Sequence, residues 1–517
     1  MKIFAITFAF LWTMSAQAQF KNVLISNKNL PNEPSIAINP KNTQQLVAGS
    51  NTDNYYYSND GGMTWTENVL TSSFKVWGDP CIIFDTAGTV YYFHLSNPPQ
   101  GNWIDRIVCQ KSENGGISWN DGSFTGLNGT KAQDKEWVAV DPRNNVMHMT
   151  WTQFDDYGSA APTDSSLILY SRSADKGETW SEPNRINAVA GDCIDDDNTV
   201  EGATPAIGPN GEVYVAWAGP SGLIFQKSLD GGNTWLLKEK FIDSMPGGWA
   251  FNIPGIMRCN GLPITLCDLS NGPNRGTIYI NWSDQRNGTT DTDIWFVKST
   301  DGGETWSALK RINDDNSKRH QFFTWMAIDQ ANGNLHTIFY DRRNYSDRRT
   351  DVYYAVSKDG GETFKNEKIS ESPFVPNPDI FFGDYNNITA HNNVVRPIWT
   401  RLHNGQLSIW TALIDSLKTT EITDEESVLQ YEFENYPNPF EELTFISFKL
   451  RSASNISLKI YNISGQTVTT IIDNKHYPSG KYIENFNAKN LALPPGTYYA
   501  VLKSNSQEIK RKMIVIQ

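Results

Sequence analysis

Short segments of alternating apolar and polar residues run through this chain, separated by turn residues. The segments that precede two Gly-rich turns are 137–140, 147–152 and 167–171, then 323–328, 335–340 and 352–356. Gly, Asn, Asp and Pro bound each segment, which is typical of antiparallel strands. The pattern therefore predicts an all-β protein built from repeated groups of strands.

One phrase occurs six times between residues 58 and 364: Ser, two positions of which the second is Asp or Asn, a Gly-containing turn, Ser or Thr, then an aromatic residue. Its acidic or amide positions are Asp60, Asn114, Asp175, Asp230, Asp301 and Asp359. Their spacings of 54, 61, 55, 71 and 58 residues suit a four-stranded unit and are too long for a solenoid turn. Gly favours a tight hairpin, the Asp accepts backbone N–H groups, and the aromatic residue can wedge between units. The phrase thus predicts the scaffold of a β-propeller.

This phrase resembles the Asp box, or BNR repeat, of the sialidase (neuraminidase) superfamily. The resemblance covers about three hundred residues and implies a sialidase-like propeller over residues 19–415. Asp boxes also occur in propellers with other activities or with none, so the fold is implied more specifically than the chemistry.

The number of blades follows from the strands outside the six repeats. Three strand-like segments without a box, 384–390, 394–399 and 407–412, follow the last repeat, and residues 22–26 form a lone strand before the first. A propeller hides its open edges when strands from both termini complete one blade. We therefore expect seven blades, with six, the number usual in sialidases, as the alternative.

A second, smaller β-domain is predicted at the C-terminal end. Residues 416–434, rich in Thr, Glu, Asp and Ser, are typical of a linker, and residues 435–517 contain Tyr-Pro-Asn-Pro-Phe from Tyr436 and Pro-Pro-Gly-Thr-Tyr-Tyr from Pro494. This order resembles the type A sorting domain of the Bacteroidetes type IX secretion system. It implies a small β-sandwich, contact with that machinery, and a secreted or outer-membrane surface-attached product. A carbohydrate-binding β-sandwich is the alternative.

Residues 1–18 have the pattern of a secretory signal peptide: Lys2, an apolar run, then Ala16-Gln17-Ala18. No later apolar run reaches the ~20 residues that span a bilayer. The net charge of −13, without a basic stripe, argues against a nucleic-acid partner.

Cysteines and acidic residues suggest two structural features. Cys259 and Cys267 bracket a short loop and are the best disulfide candidates among five cysteines; the alternative is that all five are buried thiols. The acidic run Asp192, Asp195, Asp196 and Asp197 offers oxygen ligands for a structural Ca²⁺, or is a solvated loop. The histidines show no metal-ligand spacing, and no other cofactor is predicted.

Two charged loops with similar sequences, which begin at Trp282 and Tyr340, are candidates for chemistry. Guanidinium groups bind a sugar carboxylate through paired hydrogen bonds, which makes Arg286, Arg342, Arg343 and Arg401 candidates for substrate binding. Asp384 is a further candidate for substrate binding. The sialidase resemblance further implies an Asp acid/base and a Tyr nucleophile activated by Glu. The candidates for these roles are Asp284 or Asp341 as acid/base, Tyr385 beside Asp384 as nucleophile, and Glu136 or Glu201 as activator.

Two features favour other interpretations. Sialidases carry an Arg-Ile-Pro triplet in the first blade, whereas the first Arg after the signal peptide here is Arg106. Asp-Arg after a strand is also common as an ion pair within a loop. Trp103, Trp249 and Phe251 lie in loops, where aromatic faces can stack on sugar rings or pack between blades.

Two functions therefore remain as expectations. The first is an exported sialidase-like glycoside hydrolase that acts on glycans at or outside the cell surface. The second is a non-catalytic surface propeller that binds glycans or proteins. The position of the four arginines relative to Asp384 and Tyr385 distinguishes them, because catalysis requires the guanidinium groups to converge on a tyrosine hydroxyl and a carboxylate.

Overall fold

The computed structural model describes residues 20–415, 429–450, 453–504 and 507–516. The chain divides into two compact units, Met1–Ser416 and Leu417–Gln517. The predicted signal peptide lies outside the described residues. The described elements are β-strands, apart from a 3₁₀ helix at Lys489–Leu491.

The first unit contains seven four-stranded antiparallel sheets, here called blades 1 to 7. Blades 1 to 3, from the inner strand outward, are Ser35–Asn39, Asn42–Ser50, Asn54–Ser58 and Thr66–Val69; Gly78–Phe84, Val90–Leu95, Ile107–Ser112 and Ser123–Thr125; Ala132–Val140, Met147–Phe154, Ser166–Ser173 and Asn184–Arg185. Blades 4 to 6 are Glu201–Ile207, Val213–Gly219, Gly222–Ser228 and Lys240–Asp243; Ile264–Cys267, Ile278–Asp284, Asp293–Ser299 and Lys310–Arg311; Gln321–Asp329, Asn334–Asp341, Asp351–Ser357 and Lys365–Lys368. Blade 7 is Asn387–His391, Val394–His403, Gln406–Asp415 and Lys21–Ser26.

The inner strands of consecutive blades contact one another, and those of blades 7 and 1 do too, so the ring is closed. Strand Lys21–Ser26 pairs with Gln406–Asp415, with Asn22 opposite Ala412. The first strand of the described chain therefore covers the outer edge of blade 7, as the pattern of strands predicts.

Each Asp box closes the turn between the third and fourth strands of its blade. In the first, the Asp60 carboxylate accepts hydrogen bonds from the Thr64 backbone N–H (2.9 Å) and hydroxyl (2.6 Å), and Gly62 N–H donates to Ser58 Oγ (2.9 Å). From the second box onward, the aromatic ring lies edge-on to a ring of the preceding blade. These pairs are Trp119–Tyr55, Trp180–Phe93, Trp235–Tyr170, Trp306–Phe225 and Phe364–Phe296.

A two-stranded ribbon, Ala250–Phe251 with Cys259–Asn260, lies in the insertion between blades 4 and 5. It accounts for the longest box spacing, 71 residues. Ile253 and Ile256 of this insertion pack with buried residues of blades 6 and 7. The insertion therefore reaches across the ring from its own blades.

The second unit is a sandwich of two sheets. One has the order Leu429–Tyr436, Leu443–Leu450, Gly480–Asn487, and the other Thr467–Tyr477, Ser454–Asn462, Gly496–Ser504, Gln507–Val515. Apolar residues of both sheets form one core, which includes Phe433. Residues 429–434, predicted as the end of the linker, thus belong to a strand, and the rest of the predicted linker, residues 416–428, lies outside the described chain.

The predicted disulfide is wrong, because all five cysteines are free and buried. Cys259 packs with Phe322 and Tyr340, whereas Cys267 packs in a different apolar cluster with Trp282. Spacing in the sequence did not show that the two thiols enter separate parts of the core.

Candidate functional site

The loop after Trp282 holds its own charges together. Arg286 Nε donates to Asp284 Oδ1 (2.9 Å), and its Nη2 also pairs with Asp284 and with Asp243 (2.8 Å). Trp282 donates its indole N–H to the same Asp284 carboxylate at 2.9 Å. Asp284 and Arg286 therefore form an ion pair that joins blades 4 and 5 through Asp243.

The second charged loop repeats this arrangement. Arg343 Nε donates to Asp341 Oδ2 (2.8 Å), its Nη1 pairs with Asp314 (2.5 Å), and its guanidinium lies 4.2 Å from the centre of the Tyr353 ring. Burial raises the pKa of Asp341 to about 7, although Arg343 opposes the shift. In both loops, therefore, the Asp and Arg form an ion pair within the loop, which was the alternative to a catalytic role.

Arg342 and Arg401 are buried apart from these pairs. Arg342 donates to the Pro254 carbonyl (2.8 Å) and the Thr350 hydroxyl (3.0 Å), and burial lowers its pKa to about 10. Arg401 donates to Ser372 Oγ at 2.8 Å. Among the described contacts, none joins any of the four candidate arginines to Asp384 or Tyr385.

Charged residues do converge where the inner strands begin. Glu33 precedes the inner strand of blade 1, Asp79 lies in that of blade 2, and Lys135 in that of blade 3, all with positive φ of 50°, 51° and 55°. The inner strands of blades 2 and 3 bulge at this point. A bulge redirects side chains, and positive φ in non-Gly residues is uncommon and often marks a functional site. We call this region the channel mouth.

The ammonium group of Lys135 lies at the centre of the channel mouth. Its Nζ is 2.8 Å from Asp384 Oδ2, 3.3 Å from Asp79 Oδ2 and 3.9 Å from Glu33 Oε1. Burial opposes the charged form of Lys135, but these carboxylates outweigh it and raise its pKa. Four residues from blades 1, 2, 3 and 7 therefore share one buried ion cluster.

Arg258 extends the cluster to the surface from the insertion. It forms a paired contact with Asp384, in which Nε donates at 2.8 Å, and its Nη1 pairs with Asp195 (3.0 Å). Asn260 donates to the Asp384 carbonyl at 2.9 Å. Burial alone would raise the pKa of Asp384, but Lys135 and Arg258 outweigh it and hold that pKa well below its usual range. Asp384, a predicted substrate-binding residue, is thus saturated by internal partners.

Tyr385 lines an inner pocket with Lys135 and Asp384, and the two candidate activators, Glu136 and Glu201, lie in the inner strands of blades 3 and 4. Within the described chain, the Tyr385 hydroxyl, both carboxyl oxygens of Glu136 and one oxygen of Glu201 are buried without a hydrogen-bond partner. Burial raises the pKa of all three groups, and the Asp79 charge adds to the shift for Tyr385 and Glu136. Burial therefore opposes the ionised forms of Tyr385 and Glu136, which does not favour an activated nucleophile and its base.

An open pocket of about 140 Å³ lies at the channel mouth. Trp77 and Trp103 line it with 42% and 41% of their surface exposed, and their ring centres are 6.2 Å apart. Tyr157 packs edge-on against Trp103 at 5.3 Å. Of the three aromatic residues predicted to lie in loops facing sugars, only Trp103 is exposed, because Trp249 and Phe251 are buried in the core.

The carboxylates of the acidic run 192–197 form hydrogen bonds and an ion pair with other residues of the propeller. Asp192 accepts a hydrogen bond from the Thr199 hydroxyl (3.0 Å), Asp197 accepts one from the Ala250 backbone N–H (2.8 Å), and Asp195 pairs with Arg258. Over the described ranges, no group of three or more His, Cys, Asp or Glu is arranged to hold a metal ion.

The sequence contained a signal for the mouth that was missed. Glu33 and Asp384 stand two and three residues before an inner strand, and Asp79 and Lys135 are the second and fourth residues of theirs. Aligning the blades at this register brings the four charged residues into one ring. The sequence instead favoured the loops after Trp282 and Tyr340 as the site, because their charged residues are adjacent in sequence.

Solved structures resemble this chain in fold at low identity. A Hadza microbial sialidase is 14% identical with a TM-score of 0.40, over 72% of this chain and 73% of that one. The NanB sialidase of Streptococcus pneumoniae is 11% identical with a TM-score of 0.41, over 71% and 83%. An ulvan lyase is 12% identical with a TM-score of 0.46, over 75% and 95%. No curated protein matches the chain.

Family models match both units. Residues 56–67 and 297–308 match the BNR/Asp-box repeat, and residues 434–516 match the secretion system C-terminal sorting domain. No helix in the described residues has the length and apolar character to cross a membrane. The chain therefore carries BNR/Asp-box repeats and a C-terminal type IX sorting domain, and it is an exported protein, secreted or attached to the surface.

Proposed function

We propose that this exported propeller binds saccharides at the channel mouth and does not hydrolyse them. The observation that carries the proposal is the pocket in which two half-exposed tryptophans adjoin a set of buried hydrogen-bonding groups. Aromatic faces stack on the apolar faces of sugar rings, while a few fixed polar groups select the ring.

The arrangement of charges supports binding over hydrolysis. To bind a sugar carboxylate, several guanidinium groups must direct unused N–H donors to the same point. Arg286 and Arg343 instead form ion pairs with Asp284 and Asp341. The Tyr385 hydroxyl is held neutral by burial. A sialidase mechanism would need an ionisable tyrosine beside a basic glutamate.

The pocket is also formed before any ligand enters. Trp103 is held edge-on by Trp77 and Tyr157, and Arg258 is held by Asp384 and Asp195. Side chains fixed in advance lose little conformational entropy on binding, which favours affinity. This supports a recognition surface on a rigid scaffold.

A glycan panel tests the proposal with the mature full-length protein. Neutral, carboxylated, sulfated and amine-bearing oligosaccharides are screened, and dissociation constants are then measured by calorimetry. We expect Trp77→Ala with Trp103→Ala to weaken binding at least about tenfold, the loss of about 1.4 kcal/mol expected for stacking. Phe241→Ala, which removes a 61% exposed ring from the outer strand of blade 4, is the matched control and leaves affinity unchanged.

Two results would overturn the proposal. The first is the absence of binding to every member of the panel, or binding that the tryptophan changes leave intact. The second is turnover of a fluorogenic sialoside, or of another glycoside, that Tyr385→Phe and Arg342→Ala both abolish. That outcome would establish the glycoside hydrolase instead.

A further inference from the structure

The four-stranded sheet of the second unit has an outer face with aromatic and basic residues. Alternate residues of its strands, such as Ile460 and Tyr498, enter the core of the sandwich, so the residues between them lie on the outer face. Strand register places Tyr461 opposite Tyr499, and Tyr499 opposite Lys512. Two aromatic residues and a lysine thus follow one another across three strands.

The next residues along the same face are lysines on both sides of an apolar residue. Lys459 lies opposite Val501, and Val501 lies opposite Lys510. Lys503 comes two positions after Val501 and is exposed, as is Lys510, and in register it lies opposite Glu508. In sequence, the three strands hold five basic residues against this one acid. They therefore carry an excess of positive charge, although the net charge of the chain is −13.

A cavity of about 420 Å³ lies on this face. Aromatic, aliphatic and basic side chains line it in pairs: Tyr461 and Tyr499, Ile463 and Val501, Lys503 and Lys510. Small-ligand pockets have volumes in this range and are mostly apolar, with a few polar groups that orient the ligand. The cavity therefore has both the size and the lining of a binding site.

One wall of the cavity is a turn that is fixed before any ligand enters. The Asn462 side-chain oxygen accepts hydrogen bonds from the backbone N–H groups of Ser464 (3.1 Å) and Gln466 (2.9 Å), and its amide donates to the Gln466 side chain at 2.9 Å. The turn holds Ile463 with 77% of its surface exposed, although burial of an isoleucine is favourable. A ligand that covers Ile463 would gain this burial without having to order the turn.

The two kinds of group in the cavity match two parts of one ligand. Tyrosine rings present apolar faces on which a sugar ring can stack, and ammonium groups donate hydrogen bonds to anionic oxygens. An acidic sugar has both a ring face and an anionic group. An acidic peptide supplies the anionic oxygens, but a run of acidic residues has no ring to lie on Tyr461 and Tyr499. The cavity therefore favours an acidic saccharide.

We infer that the C-terminal domain has a saccharide site of its own, which binds sugars that carry a carboxylate or a sulfate. The sugar ring would lie on Tyr461 and Tyr499 beside Ile463, with its anionic group against Lys503 and Lys510. This inference goes beyond the proposed function, because the site lies in the other unit of the chain and does not depend on the channel mouth.

Calorimetry with the mature full-length protein tests the inference. The protein carries Trp77→Ala and Trp103→Ala, so that binding at the channel mouth does not contribute. The probes are a galacturonic acid tetramer, a sulfated galactose tetramer, the uncharged galactose tetramer and a glutamic acid tetrapeptide. We expect the acidic sugars to bind at least about tenfold more tightly than the uncharged one, because hydrogen bonds to charged groups are the stronger ones. The tetrapeptide should bind at least about tenfold more weakly than the acidic sugars, since it has no ring to stack.

Two paired substitutions assign the binding to this cavity. Tyr461→Ala with Tyr499→Ala should weaken binding of the galacturonic acid tetramer at least about tenfold through the loss of stacking. Lys503→Gln with Lys510→Gln should weaken it at least about fivefold and leave the affinity for the uncharged tetramer within about twofold. Both lysines are exposed, so their substitution keeps the test decisive if the tyrosine variant does not fold.

The matched control is Lys475→Gln with Lys489→Gln. It removes the same charge from the same domain, but neither residue lines the cavity. Every dissociation constant should stay within about twofold of the parent value. Thermal melting checks that each variant is folded.

The outcomes separate this site from the channel mouth. Binding that survives the tryptophan changes and is lost with the lysine pair belongs to the C-terminal domain and supports the inference. No binding of either acidic tetramer, equal binding of the uncharged tetramer, or binding that the lysine pair leaves intact overturns it. Binding of the tetrapeptide as tight as that of the acidic sugars also overturns it and assigns the face to an acidic polypeptide. None of these results changes the test of the mouth, which depends on Trp77 and Trp103.

Discussion

Charged residues of this propeller are arranged in two ways, in the loops after Trp282 and Tyr340 and at the channel mouth. In the loops, each arginine pairs with an aspartate two residues away, as in Asp284–Arg286 and Asp341–Arg343. At the mouth, Lys135 and Asp384 are separated by 249 positions and meet through the closure of the ring. Pairs that are adjacent in sequence stabilise their own loop, whereas convergence from several blades builds a site.

The largest expected effect comes from removing the central cation of the mouth. Lys135→Met leaves the carboxylates of Asp384, Asp79 and Glu33 without their ammonium partner, and breaking a buried pair costs about 3–5 kcal/mol. Urea unfolding of the mature protein measures this loss. A cost below about 1 kcal/mol would show that the cluster does not depend on Lys135.

The matched change in a local pair is Arg349→Met. Arg349 pairs with Asp347 through Nε at 3.0 Å on the surface, so its removal should lower the free energy of unfolding by much less than Lys135→Met. Equal effects of the two variants would remove the distinction between local and converging pairs.

Acidification should act with opposite sign on the blades and on the mouth. Burial lowers the pKa of His336 and His94 from 6.5 to about 4, so stability from their neutral forms is present above pH 6.5 and is lost as pH falls toward 4. At pH 5, protonation of each histidine in the unfolded state should lower the free energy of unfolding by about 2 kcal/mol relative to pH 7. Glu33 and Asp134 have the opposite effect on stability. Their pKa values are raised in the fold, so they contribute more to the free energy of unfolding as the pH falls.

Urea unfolding between pH 5 and pH 7 measures the balance of these groups. His336→Gln should reduce the loss on acidification, since glutamine does not titrate, and Asp134→Asn should increase it. An unchanged pH dependence in both variants would contradict the assignment of these buried groups.

The smallest effect concerns the Asp box, the most local of these arrangements. Asp230→Ala removes the acceptor of the Thr234 N–H (2.8 Å) and hydroxyl (2.7 Å) and should cost about 1 kcal/mol. Asp230→Asn should be nearly neutral, because Asn114 makes the equivalent backbone contact in the second box. Denaturant midpoints compare the two, and a larger cost for the asparagine would contradict this account.

The sequence predicted the scaffold better than the site. Repeated boxes and alternating strands act locally, so their spacing indicated blades and placed residues 22–26 at the edge of the last one. The mouth depends on ring closure, which brings together single residues such as Glu33 and Asp384 that no local pattern joins. The predicted disulfide was wrong for the same reason, since proximity in sequence did not decide which part of the core receives each cysteine.

Local contacts also engage the arginines that the sialidase resemblance suggested for substrate binding. Arg342 donates a hydrogen bond to the Pro254 carbonyl of the insertion. Arg401, in blade 7, donates one to the Ser372 hydroxyl. Residue type suggested a carboxylate clamp, but only the direction of each side chain decides whether guanidinium groups meet. The structure gives those directions.

Hydrogen–deuterium exchange of the mature protein, with and without the tightest-binding oligosaccharide of the panel, tests the central claim most directly. The account predicts protection at the channel mouth, in segments that contain Trp77, Trp103, Lys135, Arg258 and Asp384, and unchanged exchange in the loops that follow Trp282 and Tyr340. Protection confined to those two loops, with the mouth unchanged, would contradict it.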